Sequence, residues 1–81
     1  MQSSQTTAET AIRLHLAVRK TTQTWLAEQL GESAFWVGRR MSGAVLFDLQ
    51  DLDRIAAVFG VSLDELLAAA DAIKVAEPVA S

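Results

Sequence analysis

Few side chains in this sequence are of the types that carry out chemistry, and they lack the neighbours that catalysis or metal binding needs. The chain has one histidine, His15, and no cysteine. A histidine that binds a metal or acts as a base works together with other ligands or with a nucleophile. No carboxylate stands at a suitable spacing from His15. We therefore expect a structural or surface histidine, no metal, no cofactor and no enzymatic activity.

Three aspartates and two serines have a simpler explanation than catalysis. Asp48, Asp51 and Asp53 lie close together, but carboxylates near the start of a helix are stabilised by its dipole and its free N–H groups. Ser33 and Ser62 have the side chain that accepts a hydrogen bond at a helix N-terminus. No base is placed to activate either hydroxyl. We interpret all five residues as caps or first-turn residues of helices.

Charge is divided unevenly along the chain, whose formal net charge is −3. Residues 1–43 contain five arginines and lysines against three glutamates, whereas residues 44–81 contain two basic residues against seven acidic ones. The first part is thus mildly basic and the second acidic. A surface that binds phosphate is therefore expected in the first part.

The length and composition predict one small soluble domain. The chain has 81 residues, of which 51% are hydrophobic, and a domain of this size buries about 60% of its unfolded surface. We expect a flexible N-terminus at 1–7, a folded domain at 8–72 and a tail at 73–81. The N-terminus lacks the features of a signal peptide, and the longest uncharged stretch, 55–63, is too short for a membrane span. A cytoplasmic protein without a membrane partner is expected.

Helix signals recur along the chain, and strand signals do not. Caps for five short helices are expected at Thr6 to Thr10, Thr22, Ser33, Asp48 and Ser62, with ends near Arg19, Leu30, Met41 and Gly60. The residues predicted to face the core of the first, fourth and fifth helices are Ala8, Ala11, Ile12, Leu16, Leu49, Leu52, Ile55, Ala56, Phe59, Leu66, Leu67 and Ala70. Leu46 or Phe47 is expected to pack on Leu52 as a hydrophobic staple. The fold class is therefore all-α.

The segment from Thr22 to Gly43 predicts two short helices held at a fixed angle. Ala27 is small where the helices would cross, and Gly31 can take the positive φ of a tight turn. The residues spaced to fill the angle between the helices are Leu26, Leu30, Val37 and Met41. A fixed angle lets one helix lie in the major groove of DNA while the other spans the backbone.

Two blocks of this sequence resemble the Cro/repressor-like (XRE) helix-turn-helix family of phages and bacteria. The first block consists of Thr22, Gln23, Leu26, Ala27, Leu30, Gly31, Ser33 and Val37, at the family's spacing and without a gap. The second runs from Ile55 to Leu67 and is similar to the family's closing helices. The resemblance covers about residues 8–70. It implies a five-helix lambda-repressor-like fold and a sequence-specific transcriptional regulator whose partner is double-stranded DNA.

The resemblance also implies which residues meet the DNA. They are Thr22, Gln23, Ser33, Ala34, Phe35, Gly38, Arg39 and Arg40. Thr22 and Gln23 would bind phosphate at the start of the second helix. Arg39 is expected to read a guanine through O6 and N7. For Arg40 we expect either a phosphate contact or packing at the end of the helix.

Departures from the family pattern keep a second function open. Ala34, Phe35 and Gly38 stand where family members often have polar side chains, and Glu32 adds a negative charge near the expected phosphate path. Specificity would then rest on few contacts or on DNA shape. An exposed aromatic residue within the pair Phe35 and Trp36 would instead favour an antirepressor, a module of the same fold that binds another regulatory protein.

Two further expectations concern packing and assembly. Trp25 is expected to pack its ring over the edge of the domain instead of stacking on a base. Regulators of this kind bind as symmetric homodimers on half-sites roughly 34–36 Å apart. A dimer would use the fifth helix, the segment 68–79 or the DNA itself, and the chain is either a whole protein or one domain of a longer repressor.

Overall fold

In a computed structural model, residues 4–76 form five helices joined by short connections. The model describes the backbone of residues 4–76 and the side chains of residues 7–70. The helices are α1 (Ser4–Val18), α2 (Gln23–Leu30), α3 (Ala34–Met41), α4 (Leu49–Phe59) and α5 (Leu63–Ala76). No strand occurs between residues 4 and 76. The predicted all-α, five-helix fold is confirmed.

Both end helices are longer than the sequence signals indicated. Helix α1 begins at Ser4, so residues 4–7 are helical although a flexible segment was expected there. Helix α5 continues to Ala76, into the segment expected to be a tail. No glycine or proline interrupts α5, so nothing in its local sequence ends the helix earlier. Residues 77–81 of the expected tail lie outside the described residues.

The predicted caps form at the starts of the middle helices. The Thr22 hydroxyl accepts a hydrogen bond from the Trp25 N–H at 3.0 Å, and the Ser33 hydroxyl accepts one from the Trp36 N–H at 3.0 Å. Asp48 is the N-cap of α4. These bonds satisfy N–H groups that have no partner inside a helix. The helix starts are therefore encoded locally.

Reciprocal capping boxes and glycine ends complete the local pattern. Asp51 N–H donates to the Asp48 carboxylate at 2.7 Å, and Asp48 N–H donates to the Asp51 carboxylate at 3.2 Å. Ser62 and Glu65 exchange the same pair of bonds at the start of α5. Gly31 and Gly60 end α2 and α4 with φ of 73° and 72°.

One hydrophobic core joins all five helices. Helix α1 packs against α5, while α2 packs against α3 and α4, and α4 packs against α5. The largest fully buried side chains are Ile12, Leu26, Val37, Met41, Ile55 and Leu66. Burying side chains of this size contributes about 1.5–3 kcal/mol each.

No helix within residues 4–76 is long and apolar enough to cross a membrane.

The start of α4 departs from the predicted apolar stripe. Leu49 was expected to face the core, but it is 68% exposed, and Leu46 is 67% exposed. Asp51 is buried instead, because its carboxylate turns back to the helix N-terminus as part of the capping box. Phe47 is half-buried and packs against the core, while its staple contact with Leu52 stays a prediction.

Candidate nucleic-acid interface

The turn between α2 and α3 holds the two helices at a fixed angle. Glu32 N–H donates to the Ala27 carbonyl at 2.9 Å, and Gly31 N–H donates to the Glu28 carbonyl at 3.2 Å. Ala27 is buried where the helices meet, together with Leu26. The predicted helix-turn-helix scaffold is therefore present, and its angle is locked by packing and by hydrogen bonds.

The start of α2 presents the first two residues expected at phosphate. Thr22 is exposed and caps the helix, and Gln23 is its half-buried first residue. The N–H groups of a first turn have no carbonyl partner within their own helix and carry the positive end of its dipole. This arrangement suits an anion such as a DNA phosphate.

Helix α3 has one buried side and one open side. Val37 and Met41 face the core. The open side carries most of the residues predicted to meet base edges: Ala34, Phe35 and Arg39 are exposed and Gly38 is partly exposed. The Phe35 side chain is 70% exposed. Ser33, also exposed, caps the helix at the edge of this surface.

Phe35 and Arg39 lie one turn apart and contact each other. The guanidinium carbon of Arg39 is 5.4 Å from the centre of the Phe35 ring, a distance at which a cation is attracted to the ring face. A Cβ atom added at Gly38 would meet no atom within 4 Å apart from the adjoining residues and the backbone of its own helix. The open side of α3 is therefore mostly apolar, with one guanidinium that can donate hydrogen bonds.

Arg40 takes the second of its two expected roles and packs at the end of α3. Its Nε donates to Asp51 Oδ2 at 3.3 Å, and its Nη1 donates to the Trp36 carbonyl at 3.3 Å. Its guanidinium also lies 3.8 Å from the centre of the Trp36 ring. The side chain is 18% exposed. In this conformation Arg40 joins α3 to the start of α4, and its contact with a phosphate stays a prediction.

Glu32 is paired with an arginine that sequence reasoning did not single out. Arg54 Nη2 lies 3.1 Å from Glu32 Oε2 and donates to the Leu30 carbonyl at 2.8 Å. Its guanidinium also lies 5.6 Å from the Trp36 ring centre. The charge expected to oppose DNA beside α3 is thus compensated by Arg54. Because 22 residues separate the pair, no local pattern could have indicated it.

Comparison with known proteins gives a family. The BetR domain model matches residues 6–80. The chain belongs to the BetR-domain family. No curated protein and no solved structure matches it. Membership in this family is consistent with a small regulatory domain that binds DNA. The similarity of Thr22–Gly43 to Cro/repressor-like proteins stays a resemblance of motif and spacing.

His15 of this BetR domain lies in an aromatic cluster formed by side chains of α1, α2 and α4. Its ring stacks on Phe59 at 5.1 Å, and Phe59 also stacks with Trp25 at 6.3 Å. Trp25 therefore packs within the domain, as predicted. Arg19 Nη1 lies 2.8 Å from His15 Nδ1, and its Nη2 donates to the Phe59 carbonyl at 3.0 Å. The histidine is part of the packing between helices.

Burial and the neighbouring guanidinium change the titration of His15. Desolvation is the larger cause and the Arg19 charge the second, and both lower the pKa of His15 below its ordinary value, while the Leu66 backbone acts in the opposite direction. His15 Nε2 is buried and makes no hydrogen bond.

Among residues 7–70, no group of histidines and carboxylates could hold a metal ion.

Proposed function

We propose that this BetR domain is a sequence-specific transcriptional regulator, a repressor or Cro-like protein, that reads the DNA major groove with α3. The observation that carries the proposal is the two-sided character of α3. Val37 and Met41 lock one side to the core, and the other side presents Ala34, Phe35, Gly38 and Arg39 to solvent. A rigidly held helix with an open face is what major-groove reading requires.

The charges around α3 support this proposal despite the net charge of −3. Arg39 is exposed on the open side, and Glu32 beside the turn is paired with Arg54. Thr22, Gln23 and Ser33 would supply the contacts to phosphate that set the position of the protein on the duplex. Most of the acidic residues belong to the second half of the sequence.

The proposed regulator acts in the cytoplasm without a cofactor and without catalysis. It binds double-stranded DNA as a symmetric homodimer whose two copies of α3 enter successive turns of the major groove, roughly 34 Å apart. The dimer contact would come from α5 with the segment after it, or from the shared DNA.

Salt dependence tests whether the ligand is DNA. Binding to a labelled random duplex, followed by fluorescence anisotropy, should weaken steeply with salt, with a log–log slope of about −0.9 for each phosphate neutralised. This slope arises because each bound basic group releases a condensed counterion. No retained duplex at low salt, or a slope near zero, would contradict the proposal.

Arg39→Ala tests whether α3 reads bases. On the site selected from a random duplex pool, the loss should be about 1–3 kcal/mol, since a bidentate contact to guanine disappears. On random DNA the loss should be much smaller. Val18→Ala, at an exposed position on α1, serves as the control and should bind both duplexes like the unchanged protein. An equal loss on both duplexes would assign Arg39 to the backbone.

A protein-binding antirepressor is the second candidate function. Large apolar side chains exposed between residues 35 and 49 favour it: Phe35, Leu46 and Leu49 are each about two-thirds exposed, as is Val18 on α1. Single exposed apolar residues are ordinary, whereas a contiguous patch of them marks a contact surface. Interaction with a regulatory protein that is insensitive to salt, combined with no duplex binding, would establish this function in place of the first.

A further inference from the structure

Two residues on the open side of α3 have no explanation in the packing of the protein itself. The Phe35 ring is 70% exposed and lies outside the hydrophobic core. Gly38 stands inside a helix, where glycine is less favourable than alanine. An alanine would fit there, because no atom beyond the adjoining residues and the helix's own backbone lies within 4 Å of the Cβ position, and φ is not positive. A ligand bound to this surface would explain both the exposed Phe35 and the glycine at position 38.

The chemistry of this surface is one cation beside apolar groups. Arg39 has the only hydrogen-bonding side chain among the four residues of the open side, Ala34, Phe35, Gly38 and Arg39. Its guanidinium carbon lies 5.4 Å from the Phe35 ring centre. Whatever Arg39 binds therefore has the Phe35 ring as its neighbour.

We propose that Phe35 and Arg39 together read a guanine and the 5-methyl group of a pyrimidine in the neighbouring base pair. This inference rests on the proposed function and names the base step that α3 recognises. Arg39 would bind guanine O6 and N7, the most common specific contact in the major groove. The Phe35 ring would then pack on the thymine methyl, the apolar group that unmodified DNA presents in that groove.

Gly38 lets the backbone of α3 come close enough for these contacts. The side chains at positions 34 and 38 lie one turn apart on the same face, and together they add one methyl group. A larger residue at position 38 would hold the helix away from the floor of the groove. The short distance is needed because a phenyl ring must be in van der Waals contact with the methyl group for its burial to contribute.

A double-mutant cycle between protein and DNA tests the inference. The site selected from a random duplex pool should contain thymine beside guanine, and that thymine is replaced by deoxyuridine, which lacks only the methyl group. Binding of the unchanged full chain should weaken about fourfold, as expected for one buried methyl group. Phe35→Ala should bind the thymine duplex more weakly and no longer distinguish the two duplexes. The exposed-position control Val18→Ala should keep the fourfold difference.

The outcomes separate this inference from the proposed function. A selected site without thymine beside guanine, or an equal effect of deoxyuridine on the unchanged protein and on Phe35→Ala, would overturn the inference and leave sequence-specific DNA binding in place. Absence of salt-dependent binding to every duplex would overturn both. A second pair of duplexes carries cytosine or 5-methylcytosine at the same position. Tighter binding of the unchanged protein to the 5-methylcytosine duplex than to the cytosine duplex would support the inference from a second base.

Discussion

At the scale of single residues, positions along α3 differ in whether their side chains contact the rest of the protein. Phe35 is exposed although it is large and apolar, and Gly38 occupies a helix position where alanine has room. Arg40 is the opposite case, because its charge is used within the domain by Asp51 and by the Trp36 ring. The two adjacent arginines of α3 therefore differ, because Arg40 is held within the domain whereas Arg39 is exposed.

Gly38→Ala should make the protein more stable and its DNA binding weaker. Alanine is favoured over glycine in a helix interior by about 0.5–1 kcal/mol, and no atom stands in its way. Urea unfolding followed by circular dichroism measures the gain, and anisotropy on the selected duplex measures the loss of affinity.

A second glycine provides the matched control. Gly31→Ala should lower stability instead, by about 1 kcal/mol, because Gly31 has φ of 73° and a Cβ atom makes this left-handed conformation unfavourable. Loss of stability in Gly38→Ala, or a gain without any change in affinity for DNA, would show that Gly38 is not kept for the approach of a ligand.

At the scale of helices, two separate ion pairs connect the elements around α3. Asp51 accepts hydrogen bonds from Arg40 on α3 and from the Asp48 N–H at the start of α4. Arg54 on α4 reaches the Leu30 carbonyl and Glu32 at the end of α2. Helix α3 is thus positioned by polar contacts as well as by the buried residues beneath it.

Asp51→Asn should destabilise the domain by about 1–3 kcal/mol, as expected when a buried hydrogen-bonded charge loses its partner. Arg40 would lose its counter-charge and α4 part of its capping box. Thermal and urea unfolding measure the change. Asp53→Asn, at an exposed position of the same helix, should stay within about 0.5 kcal/mol. Equal effects of the two substitutions would contradict the role given to Asp51.

At the scale of the whole molecule, a cluster around Phe59 ties together helices distant in sequence. His15 on α1 and Trp25 on α2 both stack with Phe59 on α4. The Arg19 guanidinium lies 4.7 Å from the same ring and donates to the Phe59 carbonyl. The Arg19 guanidinium thus already places one positive charge beside this cluster, and protonation of His15 would add an unfavourable second one.

Stability should fall as the pH is lowered through the titration of His15. Its pKa is lowered in the folded protein, by burial first and then by Arg19, so the unfolded chain binds the proton more tightly. The stabilisation is present above the ordinary histidine pKa of about 6.5 and is lost as the pH falls through the folded pKa. Urea unfolding at pH 7.5 and 5.5 measures it. His15→Phe should reduce this dependence, and an unchanged pH profile would contradict it.

Much of the secondary structure followed from signals that act within one helical turn. Thr22, Ser33 and Asp48 cap the helices predicted for them, and Gly31 and Gly60 end two of them. Side-chain to backbone bonds over three residues and glycine at positive φ depend only on the local chain. The spacing of apolar residues then indicated which face of each helix is buried, apart from Leu49.

The sequence by itself thus determined five helices, the caps of α2 to α5, the helix-turn-helix scaffold and the residues on the open side of α3, whereas the cap expected for α1 at Thr6 to Thr10 lies inside that helix. Only the tertiary structure decided how the charges are used. Arg40 finds Asp51 across 11 residues, Arg54 finds Glu32 across 22, and Arg19 finds the Phe59 carbonyl across 40. Such pairs depend on how helices pack, which the local chain does not encode. That packing uses Arg40 within the fold and compensates Glu32, and it leaves Arg39 and Phe35 exposed as the pair for which we propose base reading.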